Sequence, residues 1–120
     1  MKLEVISELK KQDASSQIGG FYRQLEQIEA GKYFISIQGS EKHYSSPRKT
    51  LEISDYTHME IAIFKDGLWL PTISRFLKKF DRYNELIERC DDVESKCPVY
   101  GWVSVELIND LYLFLKKDKP

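Results

Sequence analysis

Ser40, Lys42, His43, Tyr44, Ser45, Ser46, Arg48 and Lys49 place eight polar or aromatic side chains within ten consecutive positions. Arg48 offers a planar fork of donors, Lys42 and Lys49 offer point charges, and the three serines offer hydroxyls. That donor set suits phosphate or carboxylate oxygens. The segment joins two strand-like stretches, and ordered connections longer than ~12 residues without secondary structure of their own tend to carry function. A plainer reading competes with this one: the hydroxyls satisfy the loop's own backbone and the cations are simply solvated.

A second chemistry draws on His43 together with His58 and Glu60, which alternate onto one side of the following stretch. Three such ligands could hold a metal if the loop folds back over the correct face, and the metal would then activate water beside a basic loop. Spacing alone does not supply that convergence, and an exposed polar face explains His58 and Glu60 equally well. Ser45 or Ser46 with His43 imitates a nucleophile and its base, but no positioned acid or oxyanion donor accompanies them. Paired glycosidase carboxylates, a glycine-rich phosphate loop and a nucleophile elbow are all missing from the sequence. The patterns give an enzyme no support and call for no cofactor.

Cys90 and Cys97 flank an acidic loop of Asp91, Asp92 and Glu94 and fit no common zinc spacing. They read as two free thiols, with a disulfide across the short loop as the open alternative.

These residues need a scaffold. Lys32 to Gln38, KYFISIQ, alternates as a strand, and so does Thr57 to Phe64. Lys65-Asp66-Gly67 then supplies turn chemistry before Leu68-Trp69-Leu70, which predicts a hairpin over 57–70. Thr72 is placed to cap a helix with Ile73, Phe76, Leu77 and Phe80 inward, and a second helical segment follows through Tyr83, Leu86, Ile87 and Cys90. On the first of these, Arg75, Lys78, Lys79 and Arg82 would form a cationic ridge able to grip an anionic partner, though a solvated face is the commoner explanation. Val99 to Val103 predicts a strand, and Ser104 caps a last helix with Leu107, Ile108, Leu111, Phe114 and Leu115 inward. Tyr112 and Leu113 fall off that stripe, leaving an apolar patch that could support a homodimer. Toward the N-terminus, Leu3 to Ser7 suggests a short strand and Phe21 to Ala30 a short helix stopped by Gly31.

The expected fold is one α+β domain over residues 1–120: a small mixed or antiparallel sheet with a central hairpin, packed against three to four helices. A chain of 120 residues and 14.1 kDa suits a single compact unit. Eighteen basic against nineteen acidic residues leave a net charge of -1, so no global field draws the protein to nucleic acid or an anionic membrane. With no apolar run of ~20 residues and no secretion-signal pattern, a cytoplasmic location is expected.

The stretch Ile35-Ser36-Ile37-Gln38-Gly39-Ser40-Glu41-Lys42-His43-Tyr44-Ser45-Ser46-Pro47-Arg48 resembles a strand-plus-loop of short uncharacterised bacterial and prophage proteins. Val99 to Ile108 is similar to their strand-to-helix ending. The two stretches cover about a fifth of the chain. The resemblance implies a phage or mobile-element setting, in which small proteins bind and block a host component, and it brings no activity with it. Ser45 stands where that likeness leads one to expect cysteine. The residues as a whole point to a non-enzymatic binding protein that holds an anionic small molecule, such as a nucleotide, or a protein partner. The metal-dependent hydrolase and the basic-ridge interaction module are the rivals.

Overall fold

The computed structural model describes residues 3–11, 17–18, 22–23, 25–40, 43–47 and 53–118. Its centre is an antiparallel sheet built on β5 (His58–Lys65), with β4 (Tyr33–Gln38) on one side and β6 (Leu68–Trp69) and β7 (Tyr100–Ser104) sharing the other. β3 (Ile28–Ala30) forms the outer edge beyond β4. A separate two-stranded pair, β1 (Gln17–Ile18) and β2 (Tyr22–Arg23), precedes it. Among the described residues three α-helices accompany the strands: α1 (Glu4–Leu9), α2 (Tyr83–Ile87) and α3 (Val105–Leu115).

Alternation decides the two faces of the sheet. Tyr33, Ile35 and Ile37 of β4 and Met59, Ile61 and Ile63 of β5 are all buried and meet Val103, Leu107, Ile108, Leu111 and Leu115 in one core. The opposite side carries Phe34, Ser36 and Gln38 against Phe64, Ala62 and Glu60. The predicted hairpin is present, its Asp66-Gly67 turn held at φ of 54° and 78°. That geometry matches the twist of the flanking strands.

Four expectations are corrected. Leu3 to Ser7 lies in or beside helix α1, not a strand: Val5 and Leu9, four positions apart, bury one helical face against α3, and Asn109 Oδ1 accepts the Val5 N–H at 2.9 Å. The described part of 21–30 is not helical. Gly31 closes a two-residue turn between β3 and β4 with φ of 63°, so it serves a hairpin and not a helix end. A side chain there would also strike the Asp118 carbonyl oxygen, 2.5 Å from the position of a Cβ.

The helix expected from Thr72 is instead a run of tight turns ending in a 3₁₀ turn over Leu77–Lys79. Thr72 does not cap it. The Thr72 hydroxyl donates to the Val93 carbonyl at 2.7 Å, and the Thr72 carbonyl accepts from the Tyr83 hydroxyl, also at 2.7 Å. Ile73 is left 70% exposed, while Phe76 and Phe80 stack on Phe114 with centroids 4.5 and 5.2 Å apart. Tertiary packing of two aromatic rings outweighs helix propensity here. Fourth, Tyr112 is buried, its ring beneath the Lys116 ammonium at 5.0 Å, so only Leu113 of the expected patch is open.

Ser104 caps α3 as its type predicts, accepting the Leu107 N–H at 3.1 Å. β7 therefore passes into α3 with no intervening residue. No helix among the described residues is long and apolar enough to cross a membrane.

Candidate functional site

β4 leaves the ladder after Gln38, and the chain returns to β5 at Ser46, which pairs with His58. Between them His43 and Ser45 turn inward. Ser40, His43 and Ser45 are buried. Ser40 Oγ lies 2.7 Å from His43 Nδ1, and the Ser45 hydroxyl donates to the carbonyls of Ser40 and Pro47 at 3.4 and 3.1 Å. The Ser46–Pro47 peptide is cis. Two of the three serines offered by the sequence as ligand donors thus spend their hydroxyls on the loop itself. They fix its shape instead of facing outward.

The exposed part of this site is aromatic. Tyr44 lies over the sheet: its backbone N–H donates to Glu60 Oε2 at 2.8 Å, and its carbonyl accepts from the Trp102 N–H at 2.9 Å. The Tyr44 and Trp102 rings stack with centroids 4.7 Å apart and planes 19° from parallel, and they remain 39% and 43% exposed.

Trp102 reaches this position through a bulge in β7. Met59 pairs with Val103 and Ile61 with Tyr100, so Gly101 and Trp102 together oppose Glu60. The bulge turns Trp102 out of the core face at φ of 50°, a conformation that costs an ordinary side chain about 1–2 kcal/mol. Strain of this kind persists where the surroundings over-determine it, and it gathers at binding sites. Gly101 makes room for the partner ring: a Cβ would come within 3.0 Å of Tyr44 Cβ.

Lys42, Arg48 and Lys49 lie outside the described residues. The proposed metal ligands do not converge. His43 faces Ser40, the His58 Nδ1 lies 2.9 Å from the Thr57 hydroxyl, and Glu60 holds the Tyr44 N–H. Among the described residues no group of three His, Cys, Asp or Glu side chains could hold a metal.

The cationic ridge is also broken. Phe80 is extended, which separates Arg82 from Lys78 and Lys79, and Arg75 sits in the turns before them. Arg82 instead bonds Glu85 and Asp110 at 2.7 Å and Glu106 at 3.1 Å. Those carboxylates hold its guanidinium firmly charged. Burial pushes the Cys90 thiol up, and Cys97 is exposed, both as free thiols.

From sequence, Tyr44 and Trp102 could stack on a base if exposed, but aromatic residues on strands more often belong to the core; the structure leaves both rings open. The Gly101-Trp102 pair within the expected Val99 to Val103 strand was the available signal. A surface concavity of about 510 Å³ lies at the opposite end of the sheet among Lys32, Phe34 and Lys65.

No protein-family model, curated protein or solved structure matches the chain. No residue of the site therefore takes a role from a relative.

Proposed function

We propose that the chain is a non-enzymatic binding protein for an anionic ligand with a planar ring, a nucleotide being the simplest member of that class. The observation that carries this reading is the exposed Tyr44–Trp102 stack, held by a strained backbone at the edge of a donor-rich loop. A planar base adds a further layer to the rings, a contact worth about 1–3 kcal/mol. Arg48, Lys42 and Lys49, close in sequence to Tyr44, supply the charge-assisted contacts to phosphate. The buried Ser40, His43 and Ser45 are positioning residues that brace the loop.

Calorimetric titration with nucleotides, cyclic nucleotides and inorganic phosphate tests the reading. Nucleotide is expected to bind, phosphate alone to bind far more weakly, and Arg48→Ala to lose at least tenfold in affinity. Equal affinity of wild type and Arg48→Ala removes Arg48 from the mechanism, and no heat with any nucleotide rejects the reading.

A further inference from the structure

Two features of the chain complement each other without meeting in a single copy. The first is a groove of about 420 Å³ between the Lys79–Arg82 segment and α3. Phe80 and Phe114 form its apolar part, Leu113 stands 39% exposed at its side, and Lys79 and Lys117 line it as cations. Neither lysine makes an ion pair among the described residues. Of the two carboxylates in the lining, Asp110 is already held by Arg82, which leaves Asp81.

The second feature is the loop after α2, Asp91-Asp92-Val93-Glu94. None of its three acids pairs with a cation among the described residues, and Val93 is 47% exposed between them. The loop is not slack. Thr72 bonds the Val93 carbonyl at 2.7 Å, and Asp92 Oδ1 accepts the Glu94 N–H at 3.0 Å, so the acids and the apolar side chain are presented in one shape.

We propose that this face binds a second copy of the chain, with the acidic loop of each protomer entering the groove of the other. Val93 meets Leu113 and the phenyl rings, while Asp91, Asp92 and Glu94 meet Lys79 and Lys117. A two-fold axis makes the exchange reciprocal and closes the assembly at a dimer. A net charge of -1 offers almost no overall repulsion to oppose it.

Sedimentation of the full chain at low and high salt tests the proposal. The expected result is a concentration-dependent dimer that weakens as salt rises. Leu113→Ser, at a side chain already open to water, should weaken it tenfold or more by removing apolar burial. Lys79→Glu and Asp92→Lys should each sediment as monomers, yet form a heterodimer when mixed, because both reciprocal contacts then regain opposite charges. A monomer at every concentration in low salt overturns the proposal. So does a dimer unaffected by these substitutions, or a mixture of the two charge variants that stays monomeric. None of these outcomes depends on a nucleotide, so failure here is separable from failure of the ligand-binding reading.

Discussion

Trp102 donates its backbone N–H to the carbonyl of Tyr44 at 2.9 Å while its ring lies 4.7 Å from the Tyr44 ring, so one residue both anchors the loop and shares its exposed surface. Backbone and side chain of Trp102 thus carry separable roles. A substitution can remove the ring and relax the backbone together.

Trp102→Gly makes that separation. Glycine adopts the observed φ of 50° without penalty, which recovers about 1 kcal/mol, while loss of the ring contact forfeits a similar amount. The midpoint of thermal unfolding should therefore stay within a few degrees of wild type, and calorimetry should show nucleotide affinity reduced at least tenfold. A variant that binds as tightly as wild type would take Trp102 out of the site.

Tyr100, two residues earlier, is fully buried, and its hydroxyl has no hydrogen-bond partner among the described residues. Burial, helped by the neighbouring Cys90 and Tyr83, drives its ionisation far above the ordinary range. Tyr100→Phe deletes an unsatisfied polar atom while keeping the ring, so stability should rise by about 1 kcal/mol or more, read as a higher urea midpoint. A lower midpoint would mean that the hydroxyl is satisfied after all.

Gln38 and Leu25 occupy the same register as the β3–β4 pairs Ile28–Ile35 and Ala30–Tyr33, but it is the Gln38 side chain that completes the pairing. Its amide accepts the Leu25 N–H and donates to the Leu25 carbonyl, both at 2.8 Å. Gln38→Ala leaves both Leu25 groups without those partners and should cost about 2–4 kcal/mol in urea unfolding. Gln38→Glu keeps the acceptor but sets a carboxylate against a carbonyl, so it should not restore stability. Recovery to wild type in that variant would contradict the geometry.

Acid should loosen the α2–α3 junction and the contact of Asp118 with the Tyr33 hydroxyl at 2.8 Å and Lys32 at 3.5 Å. The Arg82 guanidinium holds the Glu85 carboxyl below its ordinary 4.5, and the Tyr33 hydroxyl followed by Lys32 holds Asp118 below its ordinary 3.8. Both groups bind protons more weakly folded than unfolded. Their stabilisation is therefore complete above those ordinary values and is lost as pH falls through the lower folded ones. Arg82→Ala should lower the urea midpoint at pH 7 and flatten its decline below about pH 4.5. An unchanged decline would place the acid sensitivity elsewhere.

Legibility in the sequence followed the kind of interaction involved. β4, β5 and the β5–β6 hairpin were readable because period-two alternation and the Asp66-Gly67 turn act locally. The Ser104 cap and the inward face of α3 were readable for the same reason. The segment from Thr72 to Phe80 was not, since Phe76 and Phe80 answer to Phe114, a residue more than thirty positions away. Gly31 carried two meanings, helix stop or hairpin turn, and only pairing with β4 chose between them. In the candidate site, sequence density pointed to the 40–49 segment, whereas the inward use of Ser40 and Ser45 and the outward turn of Trp102 depend on partners brought by the fold.

The seamless passage from β7 into α3 puts Trp102 and Leu113 on one stiff rod, whose helical part spans about 16 Å. Only Val103 and Ser104 separate the bulge from the helix start, too little slack for either end to shift unnoticed by the other. Ligand and second protomer would then be thermodynamically linked, each altering the other's grip by the same factor. Nucleotide affinity measured across a dilution series of the protein should accordingly drift with the dimer fraction, and a flat series would mean that the rod carries no message.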